Sequence, residues 1–385
     1  MNLPVKLKHI LILTGEPSGD MHGSHLIRQI KLIDPGIYVS GIGGPCLAKE
    51  KVDLFYPIEK LSVMGFTEIL MQLGQIKHAF DLFKQKLCSH LPDLIILVDY
   101  PGFNLKAAQY VKENFSIKIL YFITPKVWAW KKSRIKKIKK YVDHAALILP
   151  FEEKIFKKAK IPCTYVGNPL MDIYPETLSK PFLRYNNLIE KTKNSFIIGL
   201  LPGSRKTEVT KLLHIMGNAA KLICQHHPKV CFIISKADSI NNRLLEKYLN
   251  NFSKQFEFKI HQGPVKDILL KSDMVIAASG TVTLEAALCC VPTIIIYKVS
   301  YISYRIAKLF VKIRYAGLAN LIMNQEVMPE FLQYDATAKK ISNKAMEILD
   351  HISFYENQLQ GVRKRLGGPG ASKRAAHIAL SMLRQ

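Results

Sequence analysis

The sequence predicts an α/β protein built from two doubly wound parallel-sheet domains. Short apolar runs that end in Gly, Pro or Asp alternate with helical patterns along the chain, as in sheets whose strands are joined by crossover helices. None of these runs approaches the roughly 20 apolar residues of a membrane-spanning helix. The chain has 385 residues, a length that corresponds to about two domains.

The predicted strands fall into two groups, separated by a polar stretch within 166–195 that interrupts the pattern. The first group lies at about 9–14, 37–41, 94–98, 118–122 and 146–149, and the second at about 196–201, 230–235, 257–260, 274–277 and 293–297. In open α/β sheets, ligands bind outside the carboxyl ends of the strands. The loops after these strands are therefore the places where functional residues are expected.

The chain is strongly basic, because 55 Lys and Arg outnumber 30 Asp and Glu and give a formal net charge of +25. Such an excess indicates a negatively charged partner, which can be a nucleic acid, an anionic lipid or a phosphorylated ligand. The seven cysteines include no C-x-x-C pair. We therefore expect reduced thiols in a cytoplasmic protein.

Two loops rich in small residues follow predicted strands of the second domain and lead into helices. The loop residues are Gly203, Ser204 and Arg205 after one strand, and Ser279, Gly280 and Thr281 after another. Backbone N–H groups at a helix N-terminus suit phosphate oxygens, and Arg205 adds a cationic fork for a diphosphate. Glu285, expected on the first helical turn, can accept hydrogen bonds from both hydroxyls of a ribose.

A purely structural interpretation of these loops is that Ser-Gly-Thr caps a helix and that Glu285 interacts favourably with the helix dipole. Two such loops in one domain favour a nucleotide-diphosphate site. Neither loop matches G-x-x-x-x-G-K-[ST], and the fingerprint G-x-G-x-x-G is absent from the chain. These absences argue against a P-loop nucleotidase and a Rossmann dehydrogenase.

Two α/β domains with an S-G-T-x-T-x-E-A loop in the second resemble the GT-B glycosyltransferases that use nucleotide sugars. An ordered set of motifs more closely resembles the lipid-A-disaccharide synthase family, glycosyltransferase family 19. The motifs are GEPSGD (15–20), GIGG (41–44), MGFTEIL (64–70), DYPGFN (99–104), PKVWAW (125–130), LPFE (149–152), YVGNPL (165–170), LPGSR (201–205), ASGTVTLEAAL (278–288), NLI (320–322) and PEFLQ (329–333). They span nearly the whole chain, so the set is far more specific than any single loop.

The resemblance implies a GT-B fold with two Rossmann-like domains that face a cleft. We expect an acceptor- and membrane-binding domain at 1–180 and a UDP-sugar-binding domain at 181–355. A helical segment at 356–385 is expected to return to the first domain or to be exchanged onto it between protomers. The hinge at 367–370 would permit such an exchange and is compatible with a homodimer.

The implied reaction is an inverting transfer of 2,3-diacylglucosamine from its UDP ester to the 6-hydroxyl of 2,3-diacylglucosamine 1-phosphate. The products are a β-1′,6-linked disaccharide 1-phosphate and UDP. Two other classes stay open: another enzyme of this architecture, such as a UDP-sugar epimerase or a polyprenyl-lipid glycosyltransferase, and a non-catalytic protein that binds lipid or nucleotide sugar.

The implied reaction needs a general base for the attacking hydroxyl. Asp99 is the leading candidate, because it ends the strand at 94–98 and would face the cleft. The alternative is that Asp99 only caps the following helix. Glu16 and Asp20 compete for the role of base, and we favour them as positioning groups.

Two further residues of the first motif, Ser18 and Gly19, are expected to form a close-approach turn near the acceptor. In the second domain, Asn320 and Gln333 resemble family polar groups near the donor, although they can also be loop and capping residues. Asn168 stands where the family is expected to have His, so this position cannot transfer a proton.

The chain contains no D-x-D sequence, a pattern that often chelates a divalent cation on a nucleotide sugar. The departing diphosphate is then expected to be stabilised by Arg205, by the amides of 279–281 and by the helix dipole. We therefore expect a reaction without a metal or another cofactor.

Because both implied substrates carry acyl chains, the enzyme is expected to act at a membrane surface. The stretch 63–76 has an apolar periodicity with almost no charge opposite, which favours a helix that dips into lipid, although a buried core helix is the alternative. Its apolar residues include Val63, Met64, Phe66, Ile69, Leu70 and Leu73.

Two basic segments extend this membrane hypothesis. The segment 126–140 combines eight Lys and Arg with Trp128 and Trp130, and 301–315 mixes aromatic, aliphatic and basic residues. Both suit an anionic headgroup layer, so we expect a peripheral protein on the cytoplasmic face of a Gram-negative inner membrane. The same features suit single-stranded nucleic acid, but no RNP, zinc-finger or helix-turn-helix signature accompanies them, and we expect no nucleic-acid partner.

Overall fold

A computed structural model of the chain describes residues 8–61, 69–128, 133–185, 196–299 and 314–384. The chain divides into two units. Unit 1 comprises residues 1–169 and 369–385, and unit 2 comprises residues 170–368.

Unit 1 contains a seven-stranded parallel sheet with the strand order β3-β2-β1-β4-β5-β6-β7. The strands are β1 (His9–Leu13), β2 (Tyr38–Gly43), β3 (Asp53–Pro57), β4 (Leu94–Val98), β5 (Lys118–Phe122), β6 (His144–Leu147) and β7 (Cys163–Tyr165). The connecting helices are α1 (Pro17–Ile33), α2 (Pro45–Lys49), α3 (Ile69–Ser89), α4 (Pro101–Asn114), α5 (Ser133–Tyr141) and α6 (Glu152–Lys158).

The core of unit 1 lies on both faces of this sheet. Every residue of β1 and β4 is buried, which explains why both strands have continuous apolar runs in the sequence. Ile10 and Ile12 pack with Leu26 of α1 on one face. Leu11 and Leu13 pack with α3 and α4 on the other.

Unit 2 contains a six-stranded parallel sheet with the order β10-β9-β8-β11-β12-β13. Its strands are β8 (Ile197–Leu201), β9 (Cys231–Ser235), β10 (Phe258–His261), β11 (Met274–Ala278), β12 (Thr293–Tyr297) and β13 (Glu330–Leu332). Its helices are α7 (Leu170–Ile173), α8 (Lys180–Tyr185), α9 (Lys206–His226), α10 (Asn242–Phe252), α11 (Val265–Lys271), α12 (Thr281–Leu288), α13 (Leu318–Met323), α14 (Ala338–Asp350) and α15 (Ile352–Leu366).

The last helix, α16 (Ala371–Arg384), belongs to unit 1. Its buried residues Ala375, Ala376 and Ala379 pack with the α1 face of the sheet. Arg374 Nε donates a hydrogen bond of 2.6 Å to the carbonyl of Val166, just after β7. The C-terminal helix therefore packs on the N-terminal sheet of its own chain.

The unit boundaries differ from the expected boundaries at 180 and 355. Residues from 170 onward belong to unit 2 because their backbone is tied to it: the Lys180 amide donates to the carbonyl of Cys289. Helix α15 also remains in unit 2, since Arg365 donates to the carbonyls of Ile322 and Met323. Only the segment after Gly368 returns to unit 1.

All ten predicted strands are present, with shifts of one or two residues at half of their ends. The sequence analysis missed β3, β7 and β13, which lie at sheet edges. Their sequences DLFYP, CTY and EFL are short or mixed in polarity, so they give no apolar run. No helix among the described residues combines the length and apolar character needed to cross a bilayer.

Candidate active site

Both sheets reverse their winding direction beside their first strand, between β1 and β4 in unit 1 and between β8 and β11 in unit 2. A crevice at the carboxyl ends of two such strands is the usual ligand site of an open α/β sheet. In unit 1 this position is occupied by the loops that carry Glu16 and Asp99. In unit 2 it is occupied by the two small-residue loops after β8 and β11.

Asp99 follows β4 directly and has an unusual backbone conformation. Asp99 and Tyr100 have φ angles of 47° and 42°, in the left-handed region that costs a non-glycine residue about 1–3 kcal/mol. The Asp99 carbonyl accepts hydrogen bonds from the Tyr121 hydroxyl at 2.8 Å and from Asn104 Nδ2 at 2.7 Å. These two donors fix the backbone that presents the Asp99 carboxylate.

The ring of Tyr100 explains the glycine of the first motif. A Cβ atom at Gly15 would lie 2.1 Å from Tyr100 Cδ1, so only glycine leaves room for this ring. The GEPSGD and DYPGFN motifs are therefore in direct contact at the end of β1 and β4.

The Asp99 carboxylate is half-buried among charged groups of unit 1. Burial, together with the negative charge of Glu16, raises its pKa, while Lys126 and Arg134 act in the opposite direction. A raised pKa makes this carboxylate a stronger proton acceptor than an exposed aspartate. These features suit a general base.

Glu16, Ser18 and Gly19 occupy the start of α1. Glu16 is exposed at the N-cap, and Pro17 begins the helix, as is common because proline has no N–H to leave unpaired there. The expected turn at Ser18 and Gly19 is therefore wrong, because both residues lie in the first helical turn. Ser18 is exposed and Gly19 is buried.

Asp20 is buried and organises a neighbouring loop. Its Oδ1 accepts hydrogen bonds from the amides of Gly44 at 2.7 Å and Leu47 at 3.3 Å, and its Oδ2 accepts from Cys46 at 2.8 Å. The carboxylate thus binds the amides at the start of α2, after the GIGG motif. Because both carboxylate oxygens accept from backbone amides, the geometry fits the favoured interpretation of Asp20 as a positioning group, which stays a prediction.

In unit 2, the predicted donor loops border one cavity of about 520 Å³. Its lining includes Gly203, Ser204, Arg205, Ser279, Gly280 and Thr281. The structure therefore brings together both loops that the sequence analysis selected. Lys236 and Asp238, which follow β9, also line the cavity and were not predicted.

The loop after β8 is shaped by Gly203 and Glu208. Gly203 has φ 103° and packs so closely on Glu208 that a Cβ would lie 2.3 Å from Glu208 Oε2. Glu208 also accepts a hydrogen bond from the Arg205 amide. The Arg205 side chain is 59% exposed, so its guanidinium remains accessible to an anion.

Glu285 lies in the second turn of α12, one turn beyond the expected position, because the helix begins at Thr281. The Tyr174 hydroxyl donates a short hydrogen bond to Glu285 Oε2. Burial raises the pKa of Glu285, and the hydrogen bond from Tyr174 acts against this rise. Tyr174 was not predicted, since it lies 111 positions from its partner.

Asn320 is fully buried, and its amide is used within unit 2. Its Nδ2 donates to the carbonyl of Met328 and to Glu330 Oε1, while its Oδ1 accepts from the amides of Val327 and Met328. All four hydrogen-bonding positions of the side chain are thus occupied. The structure supports the loop-bracing alternative for Asn320 and leaves no amide group for the expected donor contact.

Gln333 follows β13 with φ 54°, and its backbone amide donates to the carbonyl of Tyr297 at 2.8 Å. Its side chain is buried, and within the described part of the chain Nε2 has no hydrogen-bond partner. A contact with the donor would satisfy this amide, and that contact stays a prediction. Asn168 is buried, and its Nδ2 donates to the carbonyl of Ile148.

The residues of the membrane hypothesis are only partly described. Val63, Met64, Phe66 and Trp130 lie outside the described residues, as do residues 301–313 of the basic segment 301–315. Ile69 and Leu70 belong to the first turn of α3. Leu73, also on α3, is 59% exposed.

Trp128 has a partner that the sequence analysis did not foresee. Its Nε1 donates to Glu152 Oε1 at 3.0 Å, and its ring packs edge-on against Phe151. Glu152 is buried, which raises its pKa to about 7. The indole N–H is therefore held by a carboxylate within unit 1 and is not free for lipid headgroups.

No group of three or more His, Cys, Asp or Glu side chains within the described ranges is arranged to hold a metal ion. Among the described residues, Lys126 and Arg134 act electrostatically on Asp99 in unit 1, and Arg205 and Lys236 line the cavity of unit 2.

Comparison with solved structures identifies the fold. UDP-GlcNAc 2-epimerase from Neisseria meningitidis, solved with UDP-GlcNAc bound, is similar with a TM-score of 0.61 at 12% identity, over 98% of this chain and 99% of that one. MurG from Acinetobacter baumannii is similar with a TM-score of 0.60 at 13% identity, over 97% and 99%. The two parallel-sheet domains are those of the GT-B fold.

Sequence comparison is more specific. The family model for lipid-A-disaccharide synthetase matches residues 10–381. Lipid-A-disaccharide synthase from Coxiella burnetii (strain CbuK_Q154) is 36% identical over 381 residues, covering 98% of this chain and 99% of the relative. Lipid-A-disaccharide synthase 1 from Legionella pneumophila is 40% identical over 333 residues, or 86% of each chain. Because the match extends over both units and includes the loops described above, the chain belongs to the lipid-A-disaccharide synthetase family and is a glycosyltransferase.

Proposed function

We propose that this glycosyltransferase transfers 2,3-diacylglucosamine from its UDP ester to the 6-hydroxyl of 2,3-diacylglucosamine 1-phosphate. The observation that carries the proposal is the Asp99 carboxylate, which lies at the switch point of unit 1 on a fixed left-handed backbone. Its raised pKa matches the need for a base that accepts a proton from a sugar hydroxyl. Membership of the family supports the choice of substrates.

The proposed chemistry is a single displacement with inversion. Asp99 takes the proton of the acceptor 6-hydroxyl as its oxygen forms a bond to C1 of the donor sugar. The bond between C1 and the UDP oxygen breaks, and the electron pair leaves with UDP. An α-linked donor thereby yields a β-1′,6-linked product.

The donor's UDP is assigned to the cavity of unit 2. Arg205 and the N-terminus of α12 supply positive charge for the diphosphate, and the small residues Gly203 and Gly280 allow a close approach. A Cβ at Gly280 would meet no atom of the described part of the chain within 4 Å. The structure of the Neisseria epimerase contains bound UDP-GlcNAc, which supports a UDP-sugar site in this fold.

These groups can stabilise the leaving diphosphate without a cation, so we propose a metal-independent reaction. The test is turnover after dialysis against excess chelator, compared with turnover after magnesium is restored. Unchanged turnover is expected. Loss on chelation with recovery in magnesium would refute metal independence while leaving the transfer itself intact.

We further propose that the protein works as a peripheral protein on the cytoplasmic face of the inner membrane. The acyl chains of both substrates require access to lipid, and the net charge of +25 favours an anionic surface. The exposed Leu73 on α3 is the described residue that best fits contact with lipid.

Incubation of the purified protein with both substrates tests the proposed function. Mass spectrometry should find a tetraacyl disaccharide 1-phosphate, UDP should be released in equal amount, and proton NMR should show a β linkage. Release of UDP without a disaccharide, or an α linkage, would contradict the proposal. Replacing the acceptor by unphosphorylated diacylglucosamine is the matched control for the substrate class.

A further inference from the structure

We propose that Tyr174 is a positioning residue for Glu285, whose carboxylate it orients toward the ribose hydroxyls of bound UDP. This inference rests on the proposed UDP site and adds a residue of the YVGNPLMDIY segment to it. Its basis is a hydrogen-bonded network that links Tyr174 both to the carboxylate of Glu285 and to helix α12, which carries Glu285.

The first part of the network is the contact between the two side chains. Tyr174 is only 4% exposed, and its hydroxyl donates to Glu285 Oε2. Glu285 is half-buried, and among the described residues no other side chain donates a hydrogen bond to it. Since a carboxylate has two acceptor oxygens, the contact fixes one oxygen and leaves the other for a ligand.

The second part ties the backbone of Tyr174 to α12. Arg363 Nη1, from α15, donates to the carbonyl of Tyr174 at 2.9 Å and to the carbonyl of Leu288 at 2.8 Å. Leu288 is the last residue of α12. One guanidinium therefore joins the Tyr174 backbone to the end of the helix that carries Glu285.

A third contact holds the same segment. The Lys180 amide donates to the carbonyl of Cys289, immediately after α12, at 2.8 Å. The segment 174–180 is thus attached to the end of α12 at both of its own ends, at the Tyr174 carbonyl and at the Lys180 amide. A hydroxyl held in this way orients a carboxylate at little further cost in side-chain entropy.

The position of Glu285 connects this network to the cavity. Thr281 lines the cavity and lies four residues before Glu285 on α12. Residues separated by four positions share a helix face, so Glu285, which does not itself line the cavity, lies one helical turn beyond Thr281 on the same face of α12. Because burial disfavours its charged form, the hydrogen bond from Tyr174 also helps to keep it ionised.

The test compares binding of UDP and 2′-deoxy-UDP by isothermal titration calorimetry. The wild-type chain should bind UDP about tenfold more tightly than 2′-deoxy-UDP, because the deoxy compound lacks one hydroxyl that donates to a charged group. Tyr174→Phe should weaken UDP binding about five- to tenfold and weaken binding of 2′-deoxy-UDP less, because that compound has only the 3′-hydroxyl to donate to Glu285. The variant thereby loses most of the discrimination between the two nucleotides.

Tyr355→Phe is the matched control. Tyr355 is also a buried phenol of unit 2, and it donates to the carboxylate of Glu347 at 2.7 Å. Glu347 lies on α14, which carries no residue that lines the cavity, whereas α12 carries Thr281 and Val282. This variant should keep the wild-type preference for UDP. Thermal unfolding of both variants shows whether the loss of a hydroxyl affects the fold.

A second pair of variants separates positioning from packing. Glu285→Gln should reduce the preference for UDP as Tyr174→Phe does, and adding Tyr174→Phe to it should cause no further loss, because the two residues act as one unit.

The outcomes distinguish the two proposals. No binding of UDP by the wild-type chain would refute the proposed nucleotide site. UDP binding with full discrimination in Tyr174→Phe, or equal losses for both nucleotides, would refute the role of Tyr174 alone. Equal binding of both nucleotides by the wild-type chain would refute the contact between Glu285 and the ribose.

Discussion

In both units the sheet reverses its winding beside its first strand, at β1 and β4 in unit 1 and at β8 and β11 in unit 2. The residues at these equivalent positions differ in kind. Unit 1 presents two carboxylates, Glu16 on an extended backbone and Asp99 on a left-handed one. Unit 2 presents glycine, hydroxyl and guanidinium groups around a cavity of about 520 Å³.

The difference shows how the same sheet topology can serve two tasks, holding a catalytic base and binding a diphosphate. A base must hold one charge in one orientation, and in unit 1 the Tyr121 and Asn104 hydrogen bonds achieve this at the expense of backbone strain. A diphosphate needs several donors around an open volume, and in unit 2 small side chains leave backbone amides accessible. The comparison predicts that substitutions in the two units affect different kinetic steps.

The largest effect is expected for Asp99→Ala. If Asp99 is the base, turnover should fall about 100- to 10,000-fold, which is the usual contribution of general base catalysis. The rate of disaccharide formation under saturating substrates measures this loss. Turnover within tenfold of the wild-type rate would remove Asp99 from the proton transfer.

Arg205→Ala tests the other unit. Loss of a charge-assisted hydrogen bond to the diphosphate should weaken UDP binding about 10- to 100-fold. The fold should be unaffected, because the Arg205 side chain is 59% exposed. Arg243→Ala, on α10 and outside the cavity lining, is the control, and equal losses in both variants would point to a general charge effect.

A smaller effect is expected for Leu73→Asp at the membrane surface. Placing a charge on an exposed apolar position of α3 should reduce binding to anionic vesicles about tenfold, as measured by co-sedimentation. Leu32→Asp is the matched control, because Leu32 is 70% exposed but lies on α1. If both variants sediment like the wild-type chain, Leu73 does not contact lipid.

The pH dependence of turnover should show the smallest change. The pKa of Asp99 is raised by burial and by Glu16, so the active, ionised form is lost as the pH falls through this raised value. Glu16→Gln removes one negative charge and should move the acid limb of the rate profile toward lower pH. A limb that stays in place, or moves upward, would show that Glu16 does not act on the base.

The sequence predicted the central strands and the donor loops because their signals are local. The run LIILV becomes β4 with all its residues buried, and the two small-residue loops follow strands that are adjacent in the sheet. Edge strands such as CTY of β7 have no comparable signal.

Side-chain partners that are distant in sequence could not be predicted. Asp20 accepts hydrogen bonds from backbone amides 24 to 27 positions away. Tyr174 contacts Glu285 only after the chain folds. Trp128 is predicted as an interfacial anchor because its buried partner Glu152, at the start of α6, lies 24 positions away in the sequence. Asn320, expected at the donor, proved to brace its own loop.

The affinity of Asp99→Ala for UDP is the measurement that tests the division of tasks most directly. Calorimetric titration should give a dissociation constant within about twofold of the wild-type value, while the same preparation has lost turnover. Such a result would separate the chemical step in unit 1 from nucleotide binding in unit 2. A loss of UDP binding in proportion to the loss of turnover would contradict this account.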